Sequence, residues 1–247
     1  MTIRHGHSSS RYDRSSQSLT NEAKQFAKAT DPQANLITYT EVKSREQALR
    51  DGLGDAFGVY QPDQTDVAIC WRKDKWKQQL KETHKLTDKV WTDGQGNSHQ
   101  TWVATVLLRH NNGHTLWVSL CHLPSNVEAG CNVDSNKQGA AWKSALPGWK
   151  SYWDNSRKQH KPTVGMVVAD WNIDFHKQCW RQYVAGIWPN FWLSWRDPNM
   201  PPENKGTHGD RLIDASWAST KAKDCWLLPD DNSSDHRPWA QIVEWPA

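Results

Sequence analysis

The sequence predicts an α+β fold in which two packed, mostly antiparallel β-sheets carry helices on their outer faces. Three observations lead there. Apolar segments of strand length dominate, and several are joined through short turns. Segments with helical spacing are inserted between only some of them, which favours a layered fold over a regular β-α alternation. No internal repeat and no long linker interrupts the pattern. The 247 residues suit one large domain or two small ones, and a chain of this length buries a core without staples.

Taken in order, residues 8–18 are rich in Ser and Arg and read as a loop. Ser18 to Ala29 places Leu19, Ala23, Phe26 and Ala27 on one helical face, and Asp31-Pro32 ends that helix. Asn35 to Val42 reads as a strand. Ser44 then caps a short helix, with Gln47 at capping-box spacing. Asp66 to Trp71 and Thr101 to Arg109 are strands, and Asn111-Asn112-Gly113 turns the second into a hairpin with residues 115–121. Asn136 to Gln159 is a long helix that Pro147-Gly148 is expected to break or bend. Thr163 to Ala169 is a buried strand, residues 174–186 a helix, and Leu212 to Ala218, Ala222 to Leu228 and Pro238 to Glu244 the closing strands.

Composition narrows the class. Apolar residues are 36% and aromatics 11%, with 17 tryptophans. Trp102, Trp117, Trp217 and Trp239 lie beside predicted elements as core. Trp188, Trp192 and Trp195 crowd together; an exposed member could stack on a base or seat in a membrane interface, while core packing is the commoner fate. Five cysteines without a C-x-x-C pair argue against a zinc ribbon and a fully paired disulfide framework, leaving mostly small buried thiols. Net charge of +3 is weak support for a polyanionic partner. No segment approaches the roughly 20 apolar residues of a membrane span. Met1 to Arg14 lacks the apolar centre of a secretory signal, so a cytoplasmic protein, or one released without such a signal, is expected.

Five segments share one property: an apolar strand ending in residues that hold metals or move protons. They end in Glu41, in His122, in Asp170-Trp171-Asn172, in Asp214, and in Ser234-Asp235-His236-Arg237-Pro238. Singly, each has an ordinary reading: a solvated strand end, a loop histidine, an Asp-x-Asn turn. Strand ends on one edge of a sheet converge in space, and the order and spacing of all five together are specific.

On these residues the chain resembles the endonuclease/exonuclease/phosphatase superfamily. Ile37 to Val42 is similar to that family's strand ending in Gln-Glu-Val, with Thr40 in place of the glutamine. Asp66 to Lys75 (DVAICWRKDK) matches its Val-Ala-Ile strand, Ser119 to Pro124 its His-Leu strand, and Val167 to Asn172 its Gly-Asp-Phe-Asn segment, with Ala169 and Trp171 as substitutions. Arg211 to Ser219 matches its Arg-Ile-Asp strand and Ser234 to Pro238 its Ser-Asp-His ending. The likeness runs in family order from about residue 20 to the C-terminus.

The resemblance implies a single domain over residues 1–247 with the deoxyribonuclease-I-like fold, a four-layer sandwich of two sheets flanked by helices. It implies hydrolysis of phosphodiesters by in-line attack of an activated water, with Mg²⁺ or Mn²⁺ as cofactor, a choice that suits a carboxylate- and amide-rich site. Glu41 is then the metal ligand and Asp235 a second metal contact. His236 is the general base or a phosphate-contacting imidazole, oriented by Asp214. Asp170 and Asn172 position water and phosphate, and His122 protonates the leaving group or binds a phosphoryl oxygen. One departure stands out: the family carries an asparagine at the end of its first strand. Here that strand, around Thr2 to His7, presents His5 or His7 instead.

Substrate is the open question. The inositol-phosphatase branch has an arginine where this chain has Asp174, and Thr207-His208-Gly209 replaces its lead into Asp210-Arg211. Secreted sphingomyelinases usually carry a signal, and none is visible here, so that substrate is not the one expected. DNA remains the expected substrate, with basic segments Arg45–Arg50, Arg72–Lys81 and Lys137–Lys161 in support. A lipid or small phosphorylated molecule, and a non-catalytic nucleic-acid-binding role, are the alternatives.

Overall fold

The computed structural model describes residues 2–10, 15–28, 34–92, 96–127, 136–195, 200–202, 204–229 and 234–246. In chain order its elements are β1 (Thr2–Ser9), α1 (Ser16–Lys28), β2 (Leu36–Thr40), α2 (Glu46–Leu53), β3 (Phe57–Tyr60), β4 (Ala68–Arg72), β5 (Trp76–Thr92), β6 (Ser98–His110), β7 (Thr115–His122), α3 (Lys137–His160), β8 (Val164–Asp170), α4 (Gln178–Ile187), β9 (Trp192–Leu193), β10 (Asp214–Ala218), β11 (Ala222–Leu227) and β12 (Trp239–Glu244). They form two six-stranded sheets, ordered β11-β12-β1-β2-β4-β3 and β5-β6-β7-β8-β10-β9. Each sheet is antiparallel except at one central pair, β1 with β2 and β7 with β8. The expected pair of mostly antiparallel sheets with outer helices is what forms.

The sheets face each other through β2 against β7 and β8, and β4 against β6. Ile3, Leu36, Ile69 and Trp71 join Val106, Val118, Val167 and Ala215 in one core. A second core lies under α1 and α2, where Leu19, Ala23, Phe26 and Leu49 cover Ile37, Tyr39 and Cys70. On the other sheet α3 lays Trp142, Trp149 and Trp153 into the core. Two glycines permit these approaches: a Cβ on Gly165 would stand 2.3 Å from the Trp153 ring, and one on Gly148 only 2.1 Å from the Leu86 carbonyl oxygen.

Several expectations are corrected. The helix from residue 137 runs unbroken through Pro147, capped by the Asn136 side chain accepting from Gly139 N at 2.7 Å. Pro147-Gly148 lets the helix lie directly on β5. Ser44 is no cap: it sits at φ +57°, and α2 starts after Arg45 without a side-chain cap. Residues 8–18 are not one loop, since Ser8 and Ser9 finish β1 and Ser16 opens α1, with 11–14 outside the described residues. The expected helix stop at Asp31-Pro32 also lies outside them. Helix α4 starts at Gln178, because Asp174 is held in a turn by accepting from Leu212 N and His176 N, both at 3.1 Å. Trp188 and Trp195 are core; Trp192 alone of that group is exposed, with the Lys221 ammonium over its ring at 4.2 Å. Cys70, Cys121 and Cys225 are buried free thiols and Cys179 is disulfide-bonded. Among the described residues no helix is long and apolar enough to cross a membrane.

Candidate active site

Sheet register assembles the site. His122 ends β7, Asp170 ends β8 and Asp214 begins β10; His122 pairs with Asp170 across the parallel ladder, and Asp170 with Asp214 across the antiparallel one. Three chemically active residues therefore stand in a row on one edge of one sheet. The other sheet contributes from the same end. Strand β2 stops at Thr40 because Glu41 turns the chain at φ +59°, a left-handed conformation held by Arg45, whose guanidinium donates to the Glu41 carbonyl. His236 enters just before β12, tied down by Ser234, which donates to the Ser9 carbonyl at 2.6 Å and accepts from His236 N at 3.1 Å.

The side chains converge. His236 Nδ1 meets Asp214 Oδ2 at 2.7 Å, and its Nε2 lies 3.9 Å from Asp170 Oδ2. His122 Nε2 lies 3.6 Å from the same Asp170 oxygen and 3.9 Å from Glu41 Oε1. Its Nδ1 meets Asp66 Oδ2 at 2.6 Å. Asn172 sits at φ +54°, its N–H on Asp170 Oδ1 (2.9 Å) and its amide nitrogen donating to the Leu123 carbonyl (2.8 Å). Glu41, His122, Asp170, Asn172, Asp235 and His236 all line a cavity of about 760 Å³. Asp214 is behind that surface, 1% exposed.

The two N-terminal histidines divide. His7 joins the site from behind, its Nε2 on Asp214 Oδ1 at 3.2 Å. His5 lies farther in, and counting hydrogens orients the chain that links them. Gln241 Nε2 can only donate, and reaches Ser216 Oγ at 2.7 Å and His5 Nδ1 at 3.0 Å. His5 Nδ1 therefore accepts, so its Nε2 carries the proton and gives it to Thr38 Oγ1 at 2.8 Å. The Thr38 hydroxyl then donates to His7 Nδ1 at 2.8 Å, leaving His7 Nε2–H for Asp214. Burial, with His7 as neighbour, pushes the His5 pKa well below the usual imidazole value and keeps that ring neutral. His7 thus supplies Asp214 with a second N–H donor beside that of His236.

At the level of sequence no protein-family profile and no curated protein matches the chain. Solved structures do match it. A mannosyl-6-phosphatase from Bacteroides thetaiotaomicron superposes with a TM-score of 0.72 at 13% identity, covering 98% of this chain and 100% of that one. An endonuclease/exonuclease/phosphatase family protein from the same organism gives 0.70 at 14% identity, covering 100% and 99%. D. rerio TDP2 complexed with a single-strand DNA product gives 0.66 at 11%, covering 98% and 99%. The chain has the endonuclease/exonuclease/phosphatase fold. In that fold's setting, the residues nominated from the sequence all fall at one end of the sandwich, His5 excepted.

Electrostatics distinguish the carboxylates. Burial, and next the Asp214 charge, raise Asp170 to about 7. Burial also raises Glu41, against the pull of His122 and His236. Burial works the other way on Asp214 than its neighbours do: it would raise the carboxyl, but His236 and His7 hold it far below the carboxylate range. His236, which burial alone would lower, is lifted to about 10 by Asp214, Asp170 and Glu41. His122 is lifted well above the usual value in the same way, chiefly by Asp66.

These shifts bear on the metal. One ligand atom each of Glu41, Asp170 and His236 lies within 4.8 Å of the others, and the same holds for His208, Asp235 and His236. His236 gives its Nδ1 side to Asp214 and turns Nε2 toward the space where Glu41 and Asp170, two carboxylates both raised by burial, converge. An oxygen-preferring divalent cation fits there. Asp235 is half exposed and meets His208 at 3.5 Å; that contact, with His236, holds its pKa at about 2, and its charge also reaches Glu41.

Sequence reasoning left out Asp66, His208 and Arg211, as well as Lys43, Trp91 and His99, which also line the cavity; Trp102, expected in the core, instead stands half-buried on the cavity wall. Asp66 heads a recognised strand and Arg211 lies inside a recognised motif, so both were in view without a role. The basic segments contribute little: Arg50 pairs with Glu46, Arg72 with Asp74 and Lys150 with Asp154, as solvated charges do.

Proposed function

We propose that this protein is a divalent-metal-dependent phosphodiesterase, with DNA as its substrate. The observation that carries the proposal is the convergence of Asp170 with the His236–Asp214 pair (2.7 Å) and the His122–Asp66 pair (2.6 Å) around one cavity. Two protonated imidazoles and a carboxyl titrating at about 7 are suited to moving protons around a phosphate ester. Asp170 accepts the proton of the attacking water as its oxygen bonds to phosphorus. His122 gives its proton to the leaving oxygen as the phosphorus–oxygen bond breaks. His236, held as an imidazolium by Asp214, hydrogen-bonds a phosphoryl oxygen where charge develops. Glu41 would hold a Mg²⁺ or Mn²⁺ ion, which supplies Lewis-acid neutralisation of phosphoryl charge.

Lys43 and Arg211 line the cavity, giving a polyanion fixed positive charge. The His7 contact to Asp214 answers the departure that motivates a non-catalytic role. One observation favours a second reading: about 760 Å³ is the size of a small-ligand pocket, which suits a small phosphoester. Incubating the protein with supercoiled plasmid and Mg²⁺ or Mn²⁺ tests the choice. Nicking that a chelator abolishes, and that Glu41→Ala reduces, is the expected result. Intact DNA beside metal-dependent phosphate release from sugar phosphates or lipids would overturn the nuclease assignment in favour of the second.

A further inference from the structure

The cavity has two unlike walls. One is the charged row just described. The other is the free end of the β5–β6 ribbon, which contributes Trp91, Asn97, Ser98, His99, Gln100 and Trp102. Cross-strand pairing sets Trp91 opposite His99, where the two rings stack with centroids 4.7 Å apart and planes 30° apart. The Trp91 indole N–H is buried with no hydrogen-bond partner among the described residues. Trp102, on the same strand as His99, is only partly buried. His99 is close enough to Asp66 to help hold that carboxylate ionised, although burial acts against it, so the aromatic wall adjoins the His122–Asp66 pair.

We infer that this wall is a nucleobase-binding subsite beside the scissile phosphate, an inference that rests on the phosphodiesterase reading above. Flat indole and imidazole surfaces bind the faces of rings, and the property they share as partners is a planar or low-polarity ring face. Two carboxamides and a hydroxyl alongside can hydrogen-bond the donor–acceptor edges of a base, the pairing that amide side chains make well. A sugar ring also offers a face and hydroxyls, so it is the competing occupant that the test below separates from a base. With a base there, the substrate unit is a phosphodiester carrying it on the His122 side, single-stranded or splayed from its neighbours, since a base stacked inside a duplex has no free face.

The test compares thymidylyl-thymidine with the same dinucleotide lacking both bases, in Mn²⁺. The base-bearing substrate should show kcat/KM higher by about 5- to 100-fold, the range for one base stacked on an aromatic ring. Trp102→Ala should lower kcat/KM for the base-bearing substrate far more than for the base-free compound and so erase that preference, while Trp102→Phe should retain most of it. Equal rates on the two substrates, or equal losses on both in Trp102→Ala, would overturn the subsite and leave the phosphodiesterase intact. If neither is cleaved, calorimetric titration of thymidine 5′-phosphate and deoxyribose 5-phosphate separates the two ideas. Tighter binding of the nucleotide, lost in Trp102→Ala, supports the subsite and contradicts the catalytic reading; equal binding contradicts the subsite. Mannose 6-phosphate binding more tightly than the nucleotide would overturn the base assignment in favour of a sugar.

Discussion

Asp214→Asn is the substitution that asks most of the site. The carboxylate offers one oxygen to His236 and the other to His7, so two N–H donors are met by two acceptors. An asparagine of the same shape has one acceptor oxygen and a donor amide. Either His7 faces N–H against N–H, or His236 must switch tautomer and accept. In both cases His236 loses the negative charge that does most to override burial and keep it protonated. A fall in its pKa from about 10 all the way to the ordinary imidazole value corresponds to ~5 kcal/mol. Asp170 and Glu41 share in holding that proton, which leaves about 2–4 kcal/mol for Asp214 alone. We expect the His236 ring resonances, followed by NMR without divalent metal, to titrate below pH ~8 in the variant. Urea unfolding at pH 7 should show the same loss of stability, and phosphodiester turnover should fall by about two to four orders of magnitude. Unchanged titration of His236 near 10, or turnover close to the parent's, would refute the role assigned to the pair.

Other outcomes follow from the same structure. Glu41→Gln removes one of two converging carboxylates, so the metal-free protein should melt at an equal or higher temperature, while the rise in Tm on adding Mg²⁺ and the metal-dependent activity should both disappear; a retained Mg²⁺-induced shift would contradict Glu41 as ligand. Without metal, Glu41 and Asp170 bind protons more tightly folded than unfolded, so both lose stability as pH rises, Asp170 through about 7. His236 adds stability that is complete below its unfolded pKa and is lost as pH rises through about 10. The Asp235 contribution is instead lost as pH falls through about 2, and that of Asp214, held far below the carboxylate range, in stronger acid still. Tm measured across pH should therefore peak near pH 4 to 6, and Mg²⁺ should raise it more at pH 8 than at pH 5. Gly148→Ala forces a methyl against the Leu86 carbonyl oxygen and should destabilise by about 1–3 kcal/mol in chemical denaturation, a larger loss than an alanine on an open helix face gives.

The sheets were legible because β7, β8 and β10 are apolar runs whose last or first residues carry the chemistry, and register alone brings those ends together. β5 was not legible: Lys77, Gln78, Gln79, Lys81 and Glu82 are largely polar, and pairing with β6 overrides their weak strand preference. That strand's far end builds the aromatic wall, so the site's charged half was visible and its ring-binding half was hidden. His7 could not be told from His5, because both point inward from alternate positions of one strand. Both meet Thr38 on the neighbouring strand, and only distant partners tell them apart: Asp214 for His7 and Gln241 for His5. The Pro147-Gly148 pair misled for a related reason: a local helix-breaking signal is outweighed by close packing on a distant strand.

A Mn²⁺-soaked crystal, mapped by the metal's anomalous scattering, tests the central claim most directly. The account predicts a peak bound by the carboxylate of Glu41, facing Asp170, His122 and His236 across the cavity. A peak elsewhere with none beside Glu41, at metal concentrations that support hydrolysis, would contradict it.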